Sequence, residues 1–246
     1  MTQTDKALTY TSYLRLEELL ALQSPRSEPV EHDEVLFIVI HQVYELWFKQ
    51  LLHEAARLQQ VLAAGEARDS LHALTRIRSI LKTVVAQVDI LETMTPRSFA
   101  GFRDRLESAS GFQSAQFREW EAVLGRRDPA MLEPHPPGPA RDRIAAAMAR
   151  PSLYQTLLHY LGVAAGADPV PVLEQIYATD ALKTLVCERM LDVDEGVQEW
   201  RYRHVMMVQR TIGTRPGTGG SSGVDYLRST LFRPMFPALW QVRSRF

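Results

Sequence analysis

Apolar positions fall at helical spacing along most of this chain. Between Tyr13 and Ala21, the residues Tyr13, Leu14, Leu16, Leu19, Leu20 and Ala21 lie on overlapping turns of a short helix that Ser24-Pro25 should end. Glu31-His32-Asp33-Glu34 then opens a long helix, its acids suited to the positive N-terminal end of the helix dipole. Within it Phe37, His41, Tyr44, Phe48 and Leu51 recur at steps of three and four, forming an apolar and aromatic stripe interrupted by one imidazole. A second long helix is predicted from about Ser70 to Met94 on Leu71, Leu74, Ile77, Ile80, Leu81, Val84, Val88 and Leu91, with Thr95-Pro96 stopping it.

Shorter helical segments follow around Phe99 to Leu106, Ala115 to Leu124, and Arg141 to Tyr160, the last interrupted by Pro151. The stretch Glu133-Pro134-His135-Pro136-Pro137-Gly138-Pro139 reads as a loop, because its prolines lack donors and break helices. The helices before that loop look incomplete without those after it, so residues 1–246 are expected to form a single domain. A final long helix should cover Asp180 to Ile212, followed by a glycine-rich loop from Gly213 to Gly223 and a last turn or two at Tyr226 to Leu231. No segment shows sustained alternation and no repeat is present, so the expected class is all-α.

With 46% hydrophobic and 23% charged residues over 246 positions, the chain can bury a sizeable core. Its 28 Lys plus Arg against 29 Asp plus Glu give a net charge of -1, and so no overall electrostatic reason to bind nucleic acid or an anionic membrane. Cys187 is the only cysteine, which excludes a disulfide framework, a multi-cysteine zinc site and covalent haem attachment, and suits a reducing compartment. The N-terminus lacks a basic region followed by an apolar one, and no uncharged apolar run approaches the ~20 residues that span a bilayer. A cytoplasmic location is expected.

Three side chains stand out. His204 shares its helix with Trp200, Met207, Val208 and Ile212, among apolar neighbours; it is either a core histidine satisfied by a hydrogen bond or an axial haem ligand. His41, beside Phe37, Tyr44 and Phe48, is either plain core or a hydrogen-bonding partner for a flat polar heterocycle. Arg103, in Phe99-Ala100-Gly101-Phe102-Arg103, is either a surface residue packing its stem on its neighbours or, inside a pocket, a bidentate fork for a carboxylate. The run Gly217 to Gly223 lacks the lysine of a P-loop; it reads as a flexible linker, or as a loop closing over a ligand with backbone N–H groups and the Thr218 hydroxyl. A di-iron bundle is disfavoured, because the pair of Glu-x-x-His motifs is missing.

Taken together, the segments resemble the tryptophan 2,3-dioxygenase family. The matching stretches are 8–16 (Leu8-Thr9-Tyr10-Thr11-Ser12-Tyr13-Leu14-Arg15-Leu16), 31–34 running into 41–49 (His41-Gln42-Val43-Tyr44-Glu45-Leu46-Trp47-Phe48-Lys49), 102–114, 200–204 (Trp200-Arg201-Tyr202-Arg203-His204) and 217–223. The resemblance implies a helical haem-binding domain of the tryptophan/indoleamine 2,3-dioxygenase type, a homotetramer with non-covalent haem b, ferrous when active. It makes His204 the axial iron ligand and His41 the distal histidine against the indole nitrogen. By the same resemblance Phe37, Phe99, Phe102, Leu106, Ser110 and Gly111 are pocket positions, Arg103 pairs with the amino-acid carboxylate, and Thr218 lies near the substrate's ammonium and carboxylate. Tyr10, Tyr13 and Leu14, in an N-terminal segment spanning residues 1–24, match a stretch that lines a neighbouring subunit's pocket. The region between Gln116 and Trp200 looks shorter than in typical members.

The activity so implied is insertion of both atoms of O2 across the indole C2–C3 bond of L-tryptophan to give N-formylkynurenine, the opening step of tryptophan breakdown through kynurenine. Two rivals have distinct signatures. A relative recruited to secondary metabolism would insert one oxygen atom into tryptophan or a derivative, and a haem or indole sensor would show no turnover.

Overall fold

The computed structural model describes residues 7–219 and 223–246. In chain order its helices are α1 (Tyr10–Leu14), α2 (Leu16–Leu20), α3 (His32–Ala63), α4 (Ala67–Leu91), α5 (Pro96–Arg103), α6 (Ala115–Leu124), α7 (Pro139–Ala149), α8 (Leu153–Leu161), α9 (Val170–Thr179), α10 (Ala181–Ile212), α11 (Val224–Arg228) and α12 (Pro237–Gln241). No strand occurs among the described residues, so the all-α expectation holds.

Three long helices carry the core. α4 packs against both α3 and α10, because its buried face (Leu74, Ile77, Leu81, Val84, Val88) meets Leu51, Leu58 and Leu62 of α3 and Val186, Met190, Val193 and Val197 of α10. Each fully buried aliphatic side chain contributes roughly 1.5–3 kcal/mol of transfer free energy. Gly196 lets α10 approach closely, since a Cβ there would meet Leu81 Cδ1 at 3.3 Å. By length and composition α3 is apolar enough to cross a membrane, more so than its sequence reading suggested, yet Tyr44, Phe48, Leu51, Ala55 and Leu58 are buried in this core.

Local chemistry explains where the predicted boundaries move. The N-terminal helix is two helices: Thr9 and Ser12 form a reciprocal cap for α1, and Arg15 in the left-handed conformation (φ 52°) breaks the chain before α2. The second long helix ends at Leu91 rather than Met94, and Thr95-Pro96 instead starts the next, because Thr95 Oγ1 accepts from the Ser98 N–H and Pro96 occupies the first turn of α5. Past Pro151, Ser152 and Gln155 form a capping box that opens α8. Helices α9 and α12 were not anticipated; each is short and carries a proline in its first turn.

The C-terminal segment is tied down by Asp194, fully buried on α10. Its carboxylate accepts from the N–H groups of Met235 and Phe236 and from Trp240 Nε1, at 2.9–3.0 Å. This bracing holds residues 235–240 against the middle of α10, two turns before Trp200.

Candidate active site

Between the N-terminal half of α3, α5 and the C-terminal half of α10 lies a cavity of about 220 Å³. The stripe seen in the sequence supplies one wall with Phe37, His41, Tyr44 and Phe48; α10 supplies another with Trp200, His204, Met207 and Val208. Phe99, Arg103, Leu106, Ser110, Gly111 and Thr218 complete the lining, so eight pocket positions expected from the resemblance, with His41 and Phe37, converge on one space.

His41 has a defined tautomer. Its Nδ1 lies 2.7 Å from the Phe37 carbonyl oxygen, which only accepts, so Nδ1 carries the hydrogen and Nε2 is left as an acceptor. Burial lowers its pKa, against the opposing pull of that hydrogen bond and of Glu45, and keeps the ring neutral. The Phe37 ring packs on it with centroids 4.1 Å apart.

His204 differs in one decisive respect. Among the described residues its imidazole makes no hydrogen bond, so the reading as a core histidine satisfied by one does not apply. It stacks on Trp200 with centroids 5.1 Å apart and planes 15° from parallel. Burial, with smaller contributions from His41 and Arg118, pushes its pKa down to about 4. A neutral, unpartnered imidazole on an apolar wall is the donor a single-ligand tetrapyrrole site needs. Among the described residues no group of three or more His, Cys, Asp or Glu side chains is placed to hold a metal ion unaided. The donor set therefore suits haem and does not suit a zinc or di-iron centre.

This has a consequence for the apoprotein. An unfolded histidine titrates near pH 6.5, whereas His204 stays neutral in the fold down to about pH 4. The unfolded chain therefore binds more protons over that window, and stability must fall as pH drops from 6.5 to 4. Urea midpoints of apoprotein at pH 7 and pH 4.5 should show this loss, and His204→Leu should reduce it; an equal loss in both proteins would contradict the titration of His204 in the fold.

Arg103 also lines the cavity, half-buried. Its Nη2 donates to the Pro216 carbonyl at 2.7 Å, and among the described residues it has no acidic partner. The Thr218 hydroxyl donates to the Ala109 carbonyl at 2.6 Å, fastening the glycine-rich segment over residues 109–111. Gly219 is required there, because a Cβ would come within 2.7 Å of Ser110 Cβ. The remainder of the predicted loop, Gly220-Ser221-Ser222, lies outside the described residues.

One expectation changes, and the N-terminal residues expected at a neighbouring subunit's pocket stand apart from this one. Phe102 does not line the cavity; it is fully buried behind it, edge-on to Phe37 and Phe99 at centroid separations of 5.5 and 5.4 Å, and so supports the wall. Tyr10, Tyr13 and Leu14 are also absent from this chain's cavity and stand on its surface, 75%, 72% and 41% exposed.

Sequence reasoning missed two polar clusters. Glu45, one turn beyond His41, accepts from the Ser114 hydroxyl (2.5 Å) and from Gln116 Nε2 (2.8 Å), joining α3 to α6 beside the cavity. On the far wall Arg118, Glu121 and Arg201 form a buried ionic cluster. The spacing of Arg118 and Glu121 on α6 was available as a signal; the approach of Arg201 from α10 was not.

Comparison with known proteins agrees with this geometry. The family model described as tryptophan 2,3-dioxygenase matches residues 1–134 and 175–246. Proteins named tryptophan 2,3-dioxygenase are similar to this chain over nearly its whole length. One from Anaeromyxobacter sp. (strain K) is 61% identical, covering 97% of this chain and 96% of the relative. One from Herpetosiphon aurantiacus is 51% identical, covering 97% and 98%, and one from Caulobacter vibrioides is 40% identical, again covering 97% and 98%. The segment 135–174, which the family model leaves unmatched, falls within these near-complete alignments. On these matches the chain belongs to the tryptophan 2,3-dioxygenase family.

Proposed function

We propose that the protein is a haem-dependent tryptophan 2,3-dioxygenase, opening the pyrrole ring of L-tryptophan to N-formylkynurenine. The observation that carries this reading is the convergence, in one apolar cavity, of an imidazole (His204) and a guanidinium (Arg103) that have, among the described residues, no hydrogen-bond partner and no acidic partner respectively, and of an imidazole with Nε2 as acceptor (His41). Haem held by His204 would supply the activation of O2 that no side chain lining the cavity can provide. The remaining work falls to the protein.

His41 Nε2 accepts a hydrogen bond from the indole N–H and so sets the rotation of the ring. Arg103 grips the carboxylate, and Thr218 is close enough in the overlying segment to contact the amino-acid end. Together these would fix both ends of the substrate and with them the position of C2 and C3 in the cavity, an orientation effect rather than acid or base catalysis. Phe37, Phe99 and Leu106 exclude water from the reacting ring. Apart from the two oxygen atoms, nothing is added to the substrate, and no net proton is exchanged, so a neutral His41 is the appropriate state.

The exposed Tyr10, Tyr13 and Leu14 support a homotetramer in which the N-terminal segment of one subunit meets the pocket of the next. A cytoplasmic location is consistent with the single, buried Cys187. Reduced, haem-loaded protein given L-tryptophan in air should consume it and form N-formylkynurenine; haem binding without tryptophan turnover would overturn the enzymatic reading in favour of a sensor.

A further inference from the structure

His41 and Glu45 stand one turn apart on the same face of α3, and both line the cavity. Among the described residues no cation pairs with the Glu45 carboxylate. Uncharged donors take both of its oxygens instead: Ser114 Oγ donates to Oε1 at 2.5 Å, and Gln116 Nε2 donates to Oε2 at 2.8 Å. Gln116 Nε2 also donates to the Glu45 main-chain carbonyl at 2.9 Å, so one residue of α3 is clamped by side chain and backbone together. Hydrogen bonds to an ionised acceptor are shorter and stronger than those between neutral groups, which gives this clamp a defined geometry.

What Glu45 holds is a junction. Ser114 closes the turn Gly111–Gln113 by donating its N–H to the Gly111 carbonyl at 3.0 Å, and it opens α6 by accepting from the Phe117 N–H at 3.2 Å. Just before it, Ala109, Ser110 and Gly111 all lie on the cavity wall. This stretch is entered through Glu107 at φ 50° and ψ -114°, a backbone conformation that is costly for any residue but glycine. Such strain persists only where the neighbouring chain is held in place. Two hydrogen bonds from distant parts of the chain do so: Glu45 at Ser114, and the Thr218 hydroxyl at the Ala109 carbonyl.

We infer that Glu45 is a positioning residue that holds Ala109–Gly111, and through them Thr218, at a set distance from His41, and so matches the cavity to the length of the tryptophan side chain. This rests on the reading of the cavity as a tryptophan site given above. His41 takes the indole N–H, and the segment under Thr218 lies at the amino-acid end. The span between these two contacts is one turn of α3 plus the Glu45–Ser114 link. A substrate longer by one methylene can satisfy one contact but not both, and a site built around hydrogen bonds penalises the one left unmade.

Steady-state kinetics of the full-length, haem-loaded protein test this. Glu45→Ala should raise KM for L-tryptophan roughly 10-fold, the lower end of what a hydrogen bond to a charged group is worth, with a smaller effect on kcat. Glu45→Gln, whose amide oxygen still accepts from Ser114, should return KM to within about threefold of wild type. Thr218→Ala should raise KM as well, and combining it with Glu45→Ala should be no worse than the poorer single variant, because both residues hold one segment. Wild-type protein should discriminate against the homologue of tryptophan with one more methylene between ring and amino acid, and Glu45→Ala should narrow that preference. An unchanged KM in Glu45→Ala, or losses that multiply in the double variant, would overturn the assignment. So would equal losses for tryptophan and its homologue, the mark of a merely structural residue. Should Glu45→Ala lose its far-UV helical signal, the same cycle with Glu45→Asp, which keeps the charge and draws it back by one methylene, decides the matter. Wild-type protein that binds haem yet shows neither a spectral change nor turnover with tryptophan would overturn the reading of the cavity itself, and the role of Glu45 with it.

Discussion

Arg103→Ala should raise KM for L-tryptophan roughly 30- to 1000-fold while leaving the haem spectrum unaltered. The range corresponds to about 2–4 kcal/mol, the usual loss when one partner of a desolvated, hydrogen-bonded charge pair is removed. The spectrum should not move, because Arg103 is on α5 whereas the imidazole proposed to hold the iron is on α10. Arg103→Lys should fall between the two, retaining the charge but losing the planar fork. Tryptamine, which lacks the carboxylate, separates substrate recognition from a general disturbance of the pocket. The wild-type protein should handle it poorly, and Arg103→Ala should handle it no worse than the wild type does. An unchanged KM for tryptophan, or equal losses for tryptophan and tryptamine, would remove Arg103 from the carboxylate site. Some of the effect would travel through the Pro216 carbonyl, which loses its donor.

The second large effect is expected at His204. His204→Ala should abolish tryptophan turnover, because no other imidazole lines the wall that α10 presents; His41 is on the opposite side, with Nδ1 engaged by Phe37. Free imidazole added to the variant should enter the space left beside Trp200 and restore a ligated spectrum together with a fraction of activity. The fold should survive, since the ring has no hydrogen bond among the described residues to lose and the substitution leaves the Asp194 bracing intact. A His204→Ala protein with wild-type spectrum and turnover would place the iron elsewhere. Loss that imidazole cannot repair, in a protein with normal helical content, would make His204 structural.

Much of the architecture was legible because α3, α4 and α10 are long enough for periodicity to dominate: Phe37, His41, Tyr44 and Phe48 announced the cavity wall that they form. Short elements escaped for the converse reason. A ten-residue helix such as α9 contains too few turns to establish a period, and its stability comes from packing of Leu173 and Ile176 that no local signal encodes. The break at Arg15 needed a left-handed arginine, a conformation its residue type does not advertise.

The site was legible in its membership more than in its chemistry. Phe102 and Phe99 are close in sequence and both aromatic, yet the helix turns one into the core and the other to the cavity. The hydrogen on His41 Nδ1 is set by a carbonyl of its own helix four residues back, which could have been inferred from spacing, but the missing partner of His204 is a property of everything packed around it. In the Arg118–Glu121–Arg201 cluster, Glu121 and Arg201 are 80 residues apart in sequence, a distance over which pattern says nothing about pairing.

The most direct measurement is the isotopic composition of the product. Reduced, haem-loaded protein should be given L-tryptophan under ¹⁸O₂ in unlabelled water, and the product analysed at once by mass spectrometry, before its formyl oxygen exchanges with solvent. N-Formylkynurenine carrying both labelled atoms is expected, as cleavage of the indole C2–C3 bond within this cavity requires. A product with the indole ring intact and a single labelled atom would contradict it.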